Sequence, residues 1–279
     1  MSTGQTILLG AVAGFTIFLG LPLGRMRGGS RAFRTLLNGL SAGILVFLLV
    51  EVFEHAFGGV EDALVAFRDG SGSFARFLVI GVVFTFGFGL GLLSLLYVSQ
   101  AARRRARVIP NASAGPGAMA LAETPAVQTE SLRLGMSIAV GIGLHNFSEG
   151  LAIGQAATGG EISLALLLII GFALHNATEG FGIVGPLAAE GVRPAWGWLG
   201  LAGLVGGGPT FLGTIVGTWF TSDIVFVGFL ALAGGAILYV VAEILNAGRR
   251  LSWTHTLWGV LAGFMLGVAT ELILVAAGV

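Results

Sequence analysis

The sequence contains no cysteine and no lysine. Without cysteine there is neither a disulfide frame nor a thiolate metal site. Without lysine there is no Gly-Lys-Ser/Thr step to hold nucleotide phosphates, so a Walker-type ATPase is excluded. Charge of either sign is scarce: 10% of the 279 residues are charged, against about 25% in a soluble domain. The net charge of zero argues against nucleic acid as a partner. What the chain does have is apolar length. Hydrophobic residues make up 55% and mean hydropathy is +0.94. There are 47 glycines, the residue that lets membrane helices approach closely. One bilayer span needs about 20 apolar residues, and the chain supplies that many times over. These features predict an all-α, polytopic membrane protein, with the lipid bilayer as its solvent, rather than a soluble helical protein with a fatty core.

Eight spans are expected, at about 5–23, 36–57, 74–100, 132–157, 162–187, 196–220, 224–246 and 256–278. The first follows Met1 with no basic lead and stops at Arg25 and Arg27, which reads as a retained helix rather than a cleaved signal peptide. With loops on alternating sides, one side collects Arg25, Arg27, Arg31, Arg34, Arg103, Arg104, Arg105, Arg107, Arg133, Arg193, Arg249 and Arg250; only Arg68 and Arg76 fall on the other. Positive charge marks the cytoplasmic side, so both termini are expected outside, in a multi-pass protein of the cell (inner) membrane. Residues 1–279 read as a single transmembrane domain. The longest link, 101–131, starts with three arginines and continues in Ala, Gly, Pro and Ser; it is expected to be a disordered cytoplasmic loop.

Two copies of one pattern stand in the middle of this apolar chain: His145-Asn146-Phe147-Ser148-Glu149-Gly150 and His175-Asn176-Ala177-Thr178-Glu179-Gly180. On a helix, His and Glu four apart share a face, and Asn lies three before the same Glu. The copies start 30 residues apart on the fourth and fifth spans, which a short outer loop makes antiparallel neighbours. Ile153 and Ile183 follow at equal offsets. A lone buried His is more often a satisfied core residue than a ligand, but here the same triplet recurs at the same spacing. Two carboxylates cancel one dication, and neutral imidazoles add ligands without charge. An isolated ion moved into low dielectric costs on the order of 20 kcal/mol in the idealised limit, so this cancellation matters. Imidazole with carboxylate suits Zn²⁺; amide and carboxylate oxygens also suit Fe²⁺ or Mn²⁺. His145, Asn146, Glu149, His175, Asn176 and Glu179 are the expected metal ligands, with the metal as transported substrate and no cofactor.

Other ionisable groups at membrane depth mark a pathway. Glu51 and His55 share a face on the second span, with Glu54 beside them and an acidic outer loop (Glu61, Asp62, Asp69) beyond; together they suggest a funnel that concentrates cations. Glu243 on the seventh span suggests an exit position, and Glu271 on the eighth a weaker proton or cation site. Gly87 and Gly91 on the third span indicate close helix contact. Gly208-Pro209 interrupts the sixth, as in broken helices that line a cavity.

At these residues the chain resembles the ZIP family of divalent-metal transporters, whose fourth-helix signature is His-Asn-x-Pro-Glu-Gly. The resemblance covers all eight spans. It implies eight helices with both termini outside, an inverted repeat of helices 1–3 and 6–8 around helices 4 and 5, and uptake of zinc or a similar metal into the cytoplasm by elevator-like or rocking motion. It also admits a homodimer. The family's proline is replaced here by Ser148 and Thr178. On the second helix, where the family often reads His-Leu-Leu-Pro-Glu-Ala, Glu51 stands at the His position and His55 at the Glu. On the sixth, Gly208 replaces a metal-bridging Glu, so one firm metal site is expected rather than two. An intramembrane hydrolase would use the same ligands with an open water position, but there is no His-Glu-x-x-His motif and no spare base. A non-transporting metal sensor is a third reading.

Overall fold

The computed structural model describes residues 1–25, 30–107, 116–160, 162–219 and 222–277, and every regular element among them is helical. Helix α1 (Thr3–Phe15) opens on a capping box formed by Ser2 and Gln5, which satisfies backbone donors that a helix start leaves unpaired. It breaks at Thr16, whose hydroxyl donates to the carbonyls of Ala13 and Ala173, at 2.7 and 2.6 Å. A short α2 (Ile17–Gly20) and a 3₁₀ turn (Leu21–Arg25) complete that span. The remaining helices are α3 (Arg31–Arg68), α4 (Phe74–Arg107), α5 (Pro116–Thr158), α6 (Ile162–Ala189), α7 (Trp196–Gly217), α8 (Asp223–Leu251) and α9 (Trp253–Ala277).

Among the described residues, seven helical stretches are long and apolar enough to cross a membrane, and they fall on seven of the eight expected spans. The remaining one, 132–157, lies inside α5. Its apolar run is interrupted by His145, Asn146, Ser148 and Glu149, so the polar cluster that makes this helix chemically interesting also lowers its hydropathy. Two boundaries differ more seriously. Helix α3 has 38 residues, about 57 Å at about 1.5 Å per residue, against a hydrocarbon core of about 30 Å. The expected acidic loop is therefore a continuation of this helix: Glu61 and Asp62 are on it, and Asp69 caps it ahead of Gly70, whose φ of 73° ends the helix. Residues 101–131 are likewise not one loop. Helix α4 runs on to Arg107 and α5 begins at Pro116, with 108–115 outside the described residues.

The helices pair into two groups. One contains α3, α4, α8 and α9, with α3 against α8 and α9 and α4 against α8. The other contains α1/α2, α5, α6 and α7. The groups meet where α3 packs on α6 and α5 packs on α8. Exchanging α1/α2 with α7, α3 with α8, α4 with α9 and α5 with α6 reproduces this pairing, the pattern that an inverted repeat produces. Large apolar residues such as Leu8, Leu19, Val82, Phe86 and Leu272 are exposed, while Asn38, Ser41, Asn146, Glu149, Asn176 and Glu179 are buried. Apolar outside and polar inside is the distribution expected when lipid is the solvent. The end contacts sort the arginines as their spacing predicts: Arg25 lies over Trp196 and donates to the Pro194 carbonyl, Arg133 and Arg250 line a common cavity, and Arg76 pairs with Asp223 at the far ends of α4 and α8.

Candidate metal site

Glycine sets the position of both motif helices. A Cβ on Gly150 would overlap the Thr210 carbonyl of α7, and one on Gly180 would overlap the Ile17 carbonyl of α2. Each copy of the pattern thus ends in the residue that presses its helix onto a partner in the same group, α7 in one case and α2 in the other. The equal offsets of Ile153 and Ile183 have the same origin, since both are fully buried.

This packing brings the two polar stripes together in the interior. His145 and Glu149 are each 4% exposed, and Asn146, Asn176 and Glu179 are fully buried. His145 Nε2 lies 3.3 Å from Glu149 Oε1. Asn146 is the centre of the arrangement. Its Nδ2 lies 2.6 Å from Asn176 Oδ1, 3.1 Å from Glu179 Oε2 and 3.0 Å from the Gly206 carbonyl, so one amide ties α5 to α6 and α7. Asn176 Nδ2 donates to the Ala13 carbonyl at 3.2 Å, reaching α1 at its break. Three buried oxygens at this level, Asn146 Oδ1, Ser148 Oγ and Thr210 Oγ1, have no hydrogen-bond partner among the described residues. A buried polar oxygen left so costs about 1–3 kcal/mol, and Asn146 Oδ1 belongs to the side chain that already touches Glu179.

Not all expected ligands are brought equally close. The side chain of His175 lies outside the described residues. Among the described residues no three His, Asp or Glu side chains gather as one group; Glu179 meets the Asn146 amide nitrogen, and Glu149 meets His145. Glu51, from the other helix group, is half-buried and within electrostatic reach of His145, as is Glu179. His55 is exposed and donates through Nδ1 to the Glu51 carbonyl of its own helix at 2.9 Å, and Glu54 is exposed beside it. Glu243 is at the opposite end, in the wall of a cavity of about 300 Å³ with Asn38, Ser137, Pro186 and Tyr239. Glu271 is half-buried on α9. At Gly208 no described atom lies within 4 Å of where a Cβ would stand, and Leu204 and Leu212, one turn to either side, are exposed.

Sequence reasoning did not find the Gly206 carbonyl, Thr210 or the Ala13 carbonyl. Backbone acceptors carry no residue signal, although the Gly206-Gly207-Gly208-Pro209 run marks where a carbonyl becomes accessible.

No curated protein matches the chain. The family model described as ZIP Zinc transporter matches residues 117–271, which takes in both motif helices, α7, α8 and most of α9 and covers more than half of the sequence. With its all-helical fold and its paired His-Asn-x-x-Glu-Gly stripes, the chain belongs to the ZIP zinc transporter family.

Proposed function

We propose that this chain moves divalent transition-metal cations, Zn²⁺ foremost, across the cell membrane into the cytoplasm through a site between α5 and α6. Membership of the family carries divalent-metal transport in general; the metal, the direction and the ligands are this reading's own. The observation that supports it is the meeting of the two stripes, with Asn146 touching both Asn176 and Glu179 in the buried interior.

Each residue type then has a role. Glu149 and Glu179 supply the two negative charges that neutralise a dication. His145 and His175 supply neutral nitrogen, and Asn146 Oδ1 and Asn176 Oδ1 supply neutral oxygen. In the metal-free protein the Asn146 amide holds Glu179 in place, so the carboxylate does not collapse onto another donor. Glu51 and His55 receive the cation on the outer side, and Glu243 takes it up on the inner side. Metal binding to such ligands displaces protons, so acid favours release. A dication moving into a negative compartment gains about 4.6 kcal/mol per 100 mV, twice the single-charge value, which supplies a driving force without nucleotide. The two seams, α3 on α6 and α5 on α8, are where one helix group shifts against the other.

Initial-rate uptake of Zn²⁺, Fe²⁺, Mn²⁺, Co²⁺ and Cd²⁺ into proteoliposomes tests the reading. Wild-type protein transports, with Zn²⁺ preferred, and Glu149→Ala and Glu179→Ala abolish both transport and metal binding. Intact binding and uptake in both variants overturns the site. Metal binding without uptake in the wild type returns the sensor or hydrolase reading.

A further inference from the structure

Three helices, α5, α6 and α8, line the 300 Å³ cavity at the arginine-rich end or stand beside it and run on toward the metal site, and each places a small residue between the two. On α5, Ser137 in the cavity wall, Gly141 and His145 follow at four-residue spacing and so share a face. On α6, Glu179 of the site, Gly182 and Pro186 of the cavity wall form one stripe. On α8, Ala236 stands one turn from Tyr239, which lines the cavity. At about 1.5 Å per residue, Gly141 and Gly182 each lie about 5–6 Å from the site on one side and about 6 Å from the cavity on the other.

Gly182 differs from its neighbours on the same helix. Gly180 and Gly185 are glycines of contact, where a Cβ would run into Ile17 and Ser41. Gly182 is buried as well, yet no described atom lies within 4 Å of where its Cβ would stand. Space rather than packing surrounds it. Pro186, four residues on and inside the same helix, has no N–H to give the Gly182 carbonyl. A backbone oxygen released from the helical ladder beside an open space is how membrane proteins offer a dehydrating cation a ligand. Opposite, Gly141 makes only ordinary contacts, with the Ala236 methyl at 3.5 Å and Ile237 Cγ1 at 3.8 Å from a Cβ position.

We propose that Gly141, Gly182 and Ala236 form the throat through which the divalent cation leaves the metal site, with the Gly182 carbonyl as its intermediate ligand and the cavity bearing Asn38, Tyr239 and Glu243 as its release chamber. The inference rests on the transport reading above but assigns residues that lie outside the ligand set. It predicts that width at position 182 controls rate without touching affinity. A leucine there fills the space and strips the passing ion of solvent, so Gly182→Leu lowers initial Zn²⁺ uptake by at least about tenfold, and Zn²⁺ affinity in detergent changes by less than about twofold. Gly182→Ala gives an intermediate rate.

A second variant covers the case in which leucine prevents folding. The chain has no cysteine, so Gly182→Cys carries the single thiol of the protein. A cationic thiosulfonate added from the arginine-rich side modifies it and stops uptake, and Zn²⁺ slows the modification. Normal uptake by folded Gly182→Leu overturns the throat, as does a Gly182→Cys thiol that is unreactive from that side. The two readings fail separately. If Glu149→Ala and Glu179→Ala keep binding, the metal site itself is wrong; if they lose binding while Gly182→Leu transports normally, only the throat is wrong.

Discussion

Asn146→Asp is the most informative single substitution at the site, because it exchanges one heavy atom, the amide nitrogen for an oxygen, with almost no change in volume. In the wild type the Asn146 amide nitrogen faces three acceptors: Asn176 Oδ1, Glu179 Oε2 and the Gly206 carbonyl. An aspartate presents an oxygen to all three. At the 3.1 Å separation from Glu179, two unit charges repel by about 5 kcal/mol at an effective dielectric of about 20. The cheaper escape is protonation of one carboxyl, and holding a proton at pH 7 against an ordinary pKa of about 3.9 costs about 4 kcal/mol. The metal-free variant should therefore lose about 4 kcal/mol, which lowers Tm by roughly 8–16 °C on the scale of a chain this size. A bound dication reverses the sign, since a third carboxylate then attracts it. Thermal unfolding in detergent, followed by tryptophan fluorescence with and without Zn²⁺, reads both effects. The expected result is a low Tm in chelator and a larger Zn²⁺-induced rise than in the wild type. Asn146→Leu is the control: it loses the hydrogen bonds but adds no charge, so it is destabilised without gaining a larger response to Zn²⁺. An Asn146→Asp protein with wild-type Tm in chelator, or with no greater gain from Zn²⁺, would refute the reasoning.

Other consequences are simpler. Gly150→Val and Gly180→Val each force a side chain into a neighbouring carbonyl and should cost about 1–3 kcal/mol or more through overpacking, seen as reduced Tm in both metal-free and metal-loaded protein. Arg25→Ala removes the hydrogen bond to Pro194 and the stacking on Trp196 and should cost about 1–3 kcal/mol, with metal affinity unchanged. The Arg76–Asp223 pair is largely exposed, so Asp223→Asn should shift stability by less than about 1 kcal/mol; a larger loss means that the two helix ends depend on it. Zn²⁺ affinity should fall as pH falls, because protons compete for the same carboxylates and imidazoles, and isothermal titration in two buffers of different ionisation enthalpy should show protons released on binding.

The doubled pattern was legible because helical periodicity alone places His145, Asn146 and Glu149 on one face and repeats the arrangement at His175, Asn176 and Glu179. Span positions were legible because apolar length is an additive property of a window. What escaped were the features set by neighbours. Gly150 and Gly180 stood in the motif in plain view, but that each is a contact point with α7 or α2 follows only from the packing. The length of α3 was hidden because Glu61 and Asp62 look like loop residues, although a helix that projects beyond the bilayer carries such residues at no cost. Around 101–131, proline suggested a loop; Pro116 instead occupies the first position of α5, where a missing N–H costs nothing, and the alanines that follow favour helix. The polar centre of α5 is the clearest conflict between levels: of the residues that weaken it as a lone span, the Asn146 amide is bonded by α6 and α7, and His145 and Glu149 meet each other.

X-ray absorption at the zinc edge of the purified, zinc-loaded protein tests the central claim most directly. Opposed His, Asn and Glu stripes predict a shell of nitrogen and oxygen only, at about 2.0–2.2 Å, with imidazole back-scattering that disappears in the His145→Ala, His175→Ala double variant even though His55 and His255 remain. A shell unchanged by that double substitution would contradict the account.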